Sequence, residues 1–414
     1  MKNITLLLIL TFLTVTFTHA QWIGQNSGTS QNLYAVSFTD ANNGTAVGYA
    51  GTIVRTTNGG TNWTTLTSGT AWSLEGVFFT DADTGTVVGM TGTILRTTNG
   101  GANWTTQIAT GVTSTINSVF FINSKTGWIC GLGGKISKTT NGGTNWASQI
   151  SGTTNWLSGV SFANANTGTV VGGGGKILRT TNGGATWTSQ ISGTTTIGFD
   201  GVSFTDANNG TAVGSSGTIL RTTNGGTNWT TQTSGTTRRL YDVSFTDANT
   251  GTVVGGPNPY PSLYPIILRT TNGGLNWTLQ SGPDSTYYFG VNFINANTGT
   301  VVGMTGRIFS TTNGGVSFVN QISSEIPERF SLYQNYPNPF NPSTTIKFDL
   351  PKSGFASLII YDILGREVAV LLNKKLKAGS YTGVWSAQNY NSGIYFYRLK
   401  AGDYVETRKM LLIK

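Results

Sequence analysis

Seven copies of one phrase, TTNGG followed three residues later by an aromatic, recur along this chain at an almost constant step. Their asparagines are Asn58, Asn99, Asn141, Asn182, Asn224, Asn272 and Asn313, spaced 41 or 42 residues apart except for one step of 48. A period near 40 built from short alternating apolar runs predicts a β-propeller with one blade per copy. The expected fold class is therefore all-β, dominated by a seven-bladed β-propeller.

The first copy shows how a blade is written. It reads LYAVSF from Leu33, the turn TDANNG, TAVGY from Thr45, a turn at Ala50 and Gly51, TIVRT from Thr52, the turn TNGG, and TNWTTL from Thr61. Each run is β-branched or aromatic and bounded by Gly, Asn or Asp, which predicts four antiparallel strands. Asn58, Gly59 and Gly60 suit a tight turn because asparagine and glycine adopt positive φ at low cost.

Composition closes several classes of chemistry. Lys2, the apolar run from Ile4 to Val15 and the exit Thr18, His19, Ala20 predict a secretory signal peptide over residues 1–20 rather than a membrane span. Removing it leaves no histidine and one cysteine, Cys130, so a Ser/His/Asp triad, a Cys/His pair, a His-ligated zinc site and an internal disulfide are all excluded. Cys130 falls where other copies carry valine, which predicts a buried, inert thiol. The net charge of +9 is spread thinly, and the densest basic stretch is Lys374, Lys375 and Lys377, so no nucleic-acid partner is expected. No cofactor and no metal is expected either. Asp81, Asp83 and Gly85 form half a calcium loop, but no bidentate glutamate follows.

The turn between third and fourth strands, TxNxGxNW from Thr56 to Trp63, resembles the Asp-box of bacterial-neuraminidase-type repeats, with threonine for serine and asparagine for aspartate. The wider repeat, over about residues 22–318, is also similar to the propeller of photosystem II assembly and stability factors. The resemblance implies that the box is a structural fastening: the asparagine caps the turn, and Trp63, Trp104, Trp146, Trp187, Trp229, Trp277 and Phe318 pack as core. Two segments compete to close the ring, Trp22 in QWIGQNSGT and Phe318 in VSFVN.

Comparing copies separates what the scaffold imposes from what it leaves free. The box and TDANNG turns share one rim and are nearly invariant. The opposite rim varies, with Trp72, Trp156, Phe199, Arg238, Arg239, Tyr287 and Tyr288 in inter-blade loops. Just inside them, two residues before the first-strand valine, stand Tyr34, Glu75, Asn117, Ser158, Asp200, Tyr241 and Phe289. The one long insertion, Gly255 to Pro265, adds Tyr260 and Tyr264. Exposed aromatics mixed with polar groups suit a sugar ring or a protein partner, unless they only seal neighbouring loops. The basic position before each box, Arg55, Arg96, Lys138, Arg179, Arg221 and Arg269 with Ser310 in the last copy, is read as scaffold rather than as a ring for an anionic polymer. For catalysis the available carboxylates are Glu75, Asp200 and Asp242 on the variable rim, with Asp284 in a loop. Asp40, Asp81, Asp206 and Asp247 recur at one turn position and are read as turn residues.

All ten prolines lie from Pro257 onward, marking a change of style. After a linker over residues 321–329, residues 330–414 carry NYPNPFNP, YDILGREV, SGIYFYRL and a terminal KMLLIK, whose alternation predicts a small Ig-like β-sandwich. These motifs resemble the C-terminal sorting domain of type IX secretion cargo, which implies a partnership with that machinery and a secreted or surface location. The expected function is a binding module for polysaccharide or a surface protein over residues 21–320. The alternatives are a sialidase-like or other propeller glycoside hydrolase, and an extracytoplasmic assembly factor.

Overall fold

A computed structural model of the chain describes residues 22–256, 265–280, 286–315, 319–387 and 390–413. The expected signal peptide, Tyr260, Tyr264, Asp284 and Phe318 lie outside the described residues. Two compact units divide between Val316 and Ser317.

The first unit is a ring of seven four-stranded antiparallel sheets. Blade 1 consists of Leu33–Phe38, Gly44–Gly48, Ile53–Thr56 and Thr64–Leu66, and the following blades repeat it. In each blade the second strand is buried along its whole length. The glycines at its ends are dictated by neighbours. A Cβ on Gly44 would lie 2.3 Å from the Phe38 ring, and one on Gly48 would lie 1.9 Å from the Asn32 carbonyl oxygen. This accounts for the recurring GTxVG.

The ring is closed by the chain's first strand. Ile23–Gln25 pairs antiparallel with the third strand of blade 7, Ile23 opposite Ser310 and Gln25 opposite Ile308. Trp22 is buried and meets Phe293 edge to face at 5.8 Å, as Trp63 meets Phe38 at 5.9 Å in blade 1. The competing segment goes elsewhere: Val319–Ser323 pairs with Gly379–Ser386 of the second unit. The domain boundary anticipated after residue 320 therefore falls after Val316, and residues 321–323 of the expected linker belong to a strand.

Three fastenings recur around the ring, one within each blade and two between neighbours. In the box, Thr56 Oγ1 accepts from Gly60 N–H at 2.9 Å and Asn58 Oδ1 accepts from Asn62 N–H at 3.0 Å, which ties the turn. The basic residue before the box reaches forward. Arg96 donates to Thr86 Oγ1 at 2.7 Å in its own strand pair and to the Ser124 carbonyl at 2.6 Å in the next blade, and its guanidinium lies 4.9 Å from the Phe121 ring centre. Burial lowers the affinity of these guanidinium groups for their protons, to a pKa of about 10 at Arg269. Where blade 3 carries Trp128 in place of the threonine, the arginine becomes Lys138. The indole itself then stacks 3.6 Å from Phe162 and donates to the Gly183 carbonyl. Two positions in one chain have thus changed together to keep one contact.

The third fastening is a glutamine in the fourth strand. Gln25, Gln149, Gln190, Gln232 and Gln280 each accept from a box-type indole, for instance Trp63 Nε1–H at 3.0 Å, and each donates to a carbonyl of the following box. Leu66 stands there in blade 1, and the Trp104 Nε1–H it faces is buried without a partner. A buried unpaired donor costs about 1–3 kcal/mol. Leu66→Gln is therefore expected to stabilise the propeller by about 1 kcal/mol, read as a melting temperature raised by about 2 °C. A melt that stays still or falls would show that the pocket beside Trp104 cannot take the amide.

The second unit holds two four-stranded antiparallel sheets around one apolar core that includes Phe348, Leu358, Trp385, Tyr397 and Met410. The NYPNPFNP segment is packed into it. Asn335 is buried, donates from its side-chain amide to Thr344 Oγ1 at 2.9 Å, and donates its backbone N–H to the Tyr397 hydroxyl oxygen at 2.9 Å. Phe340 is buried and its backbone bonds Leu411 in the last strand.

Candidate functional site

The innermost strand of every blade carries a one-residue β-bulge. In blade 1 Leu33 faces Gly48 and Ala35 faces Val47, so Tyr34 has no partner across the ladder. The same skip falls at Glu75, Asn117, Ser158, Asp200, Tyr241 and Phe289. A bulge re-aims its extra residue and releases it from the alternation that fixes its neighbours. Seven scaffold-freed side chains, all half-buried, thus line one end of the central channel, a cavity of about 500 Å³.

The ring they form is unequal. Blades 6, 7 and 1 give an aromatic arc: Phe289 meets Tyr34 at 5.5 Å and Tyr241 at 5.3 Å, both edge to face, and Tyr287 packs behind Phe289 at 6.4 Å. Blades 2 to 5 give Glu75, Asn117, Ser158 and Asp200. Asp200 is held by Arg239 through two hydrogen bonds of 2.6 and 2.8 Å, and Arg239 also sits over the Tyr241 ring at 5.4 Å. Burial pushes the Asp200 carboxyl above its ordinary value despite the arginine, whose bonds oppose the shift. Glu75 is pushed up by burial alone, and among the described residues no hydrogen bond or ion pair offsets it.

Around this mouth runs the variable face. The second turn of each blade is tied to the loop before the first strand, as where Tyr49 N–H donates to the Asn32 carbonyl, so both belong to one face. The box turn bonds the TDANNG turn, Gly59 N–H to Asn42, on the other. Trp72 and Trp156 stand out from the loops with 53% and 45% of their surface exposed, and the Trp156 ring covers Gly173. Arg238 is half-buried. The second turns add Tyr49, Met90 and Leu132, exposed apolar residues that the sequence reading did not single out. Their signal was present, because this position changes from copy to copy while its neighbours do not. Among the described residues the four non-glycine residues with positive φ, Ala50, Thr91, Ser216 and Thr305, all follow this position. A β-branched residue held there, as at Thr91 and Thr305, stores local strain.

Three sequence assignments are corrected. Phe199 and Tyr288 are not rim residues. They precede the bulge, where Leu33, Leu74 and Leu157 stand in other blades, and both are wholly buried. Asp242 does not present a carboxylate to the mouth. It follows the bulge and lies against the channel wall, with Oδ1 accepting from Val243 N–H at 2.8 Å and Oδ2 from Val291 N–H at 2.9 Å, joining blades 6 and 7. Enclosure by the blades pushes it up to about 7 against those two bonds. The turn carboxylates cap their own turns: Asp40 Oδ1 accepts from Asn42 and Asn43, and Asp81 Oδ1 from Asp83 and Thr84.

A seven-bladed propeller of Asp-box-like repeats with a separate C-terminal β unit is the class that this architecture defines. Four overlapping stretches between residues 15 and 282 match the family of photosynthesis system II assembly factor YCF48, and the chain belongs to that family. Residues 334–414 match the secretion system C-terminal sorting domain. The protein is thus a propeller fused to a type IX secretion tail, which indicates export to the medium or the cell surface. Solved structures agree on the fold. YCF48 bound to a D1 peptide superposes with a TM-score of 0.60 at 18% identity, covering 73% of this chain and all of that one. YCF48 from Cyanidioschyzon merolae gives 0.59 at 20%, covering 70% and 99%. The WD40 propeller domain of Doa1 gives 0.58 at 13%, covering 71% and 97%. No curated protein matches the sequence. Among the described residues no helix is long and apolar enough to cross a membrane.

Proposed function

We propose that the exported propeller is a non-catalytic binding module that holds a segment of another protein over the mouth of its central channel. The observation that carries this reading is the ring of bulged residues, which differ from blade to blade while the box face repeats. Exposed Tyr49, Trp72, Met90, Leu132 and Trp156 surround that ring and supply apolar area of the kind that anchors protein partners. A relative of the same fold has been solved with a peptide bound, in keeping with a polypeptide ligand.

Hydrolysis of a glycosidic bond usually needs two working carboxylates. Asp200 is engaged by Arg239 and Asp242 by two backbone N–H groups, which leaves Glu75 without a second free carboxylate among the described residues of the mouth. The test exposes the purified full chain to an overlapping peptide array from surface proteins and to a polysaccharide panel, measuring retention and newly released reducing ends. Peptide retention weakened at least tenfold by Trp72→Ala or Trp156→Ala is expected. Retention of polysaccharide alone would redirect the reading to glycan binding, and reducing ends lost in Glu75→Gln would make the protein an enzyme.

A further inference from the structure

The channel mouth contains one arrangement twice, complete on one side and open on the other. On blades 5 and 6 a carboxylate, Asp200, and a tyrosine, Tyr241, stand at neighbouring bulges, and a guanidinium bridges them. Arg239, two residues before Tyr241, forms a bidentate bond to the carboxylate and lies over the ring. On blades 1 and 2 a tyrosine and a carboxylate recur in mirrored order, with Tyr34 and Glu75 at the bulges of adjacent innermost strands and both lining the channel mouth. Here the residue two before the tyrosine is Asn32, whose side chain carries no charge and accepts from Thr305 N–H. Among the described residues no cation bonds Glu75, although the chain as a whole carries a net charge of +9.

A carboxylate that is half-buried beside aromatic rings and lacks a partner costs free energy in the isolated protein, and a guanidinium that pairs with it and lies against a ring offsets that cost. We infer that the mouth of the channel takes an arginine side chain of the bound segment, its guanidinium seated between Glu75 and Tyr34 as Arg239 is seated between Asp200 and Tyr241. The inference rests on the binding-module reading and names the group that the module recognises. A divalent metal is the poorer occupant, since it needs several oxygen ligands and Glu75 stands as a single carboxylate beside an aromatic arc. The cavity of about 500 Å³ accepts a whole side chain with its flanking backbone.

The experiment titrates four blocked pentapeptides, Gly-Gly-X-Gly-Gly with X as arginine, lysine, citrulline or glutamate, into the purified full chain by calorimetry. Citrulline has the shape of arginine without its charge. The arginine peptide is expected to bind at least tenfold tighter than the citrulline peptide, and Glu75→Gln to erase that difference while its thermal melt stays within a few degrees of the parent. Equal affinity for arginine and citrulline, an undiminished preference in Glu75→Gln, or no binding by any peptide to the folded protein would overturn the seat. If that happens while Trp72 and Trp156 still control retention on the array, only the seat falls and the binding module stands.

Discussion

Deleting residues 22–26 is expected to abolish the cooperative melt of the propeller. Those five residues tie three blades. Trp22 Nε1–H donates to Gln280 in blade 6 at 3.0 Å, strand Ile23–Gln25 completes blade 7, and Gln25 accepts from Trp63 and donates to the Gly59 carbonyl in blade 1. Loss of one buried large aromatic costs about 3–5 kcal/mol. Deletion adds an open edge on Ile308–Thr311 and the loss of the glutamine's bonds, against a total stability of about 5–15 kcal/mol for a typical domain. Trp22→Ala alone should lower the melting temperature by roughly 5–15 °C on the same scale. Calorimetry and limited proteolysis read both variants. A deletion that melts like the parent would mean that another segment closes blade 7.

A chain ending at Val316 is expected to remain in the periplasm with a folded propeller, because the sorting domain that directs export is gone while all seven sheets are kept. The place of the cut matters. Ending at residue 329 instead retains Val319–Ser323 without Gly379–Ser386, the strand it pairs with, and an unpaired strand is a template for aggregation. Both truncations should vanish from medium and cell surface in fractionation, but the longer one should precipitate more readily. Undiminished export of the shorter chain would remove the sorting role from residues 317–414.

Much of this architecture is legible in the sequence because a propeller writes its scaffold seven times. Any residue required by turn, strand or blade contact recurs, so the boxes, the GTxVG strands and the forward-reaching arginines stand out on comparison. Trp22 was legible for the same reason, as an eighth copy with one neighbour missing. The errors arise where one residue type serves two positions. Phe199 and Tyr288 look like loop aromatics, but the bulge after them shifts the alternation by one, and they fill the slot of Leu33. The glutamine also recurs from copy to copy, but its bonds cross between blades and the fourth strand is short, so its role as a fastening is not legible within one copy. The ligand is least legible of all: the bulged ring is where repetition stops, and a single chain offers no second example of it.

Ring closure also sets an order of events in time. Ile23–Gln25 finds its partner at Ile308–Ser310, almost the whole propeller later, and such distant pairings form slowly and late. A chain made from its N-terminus must keep this first strand waiting until the last blade has emerged. Every product that stops short of Ile308 carries open sheet edges, so completeness of the propeller is tested at a single seam before the molecule can persist outside the cell.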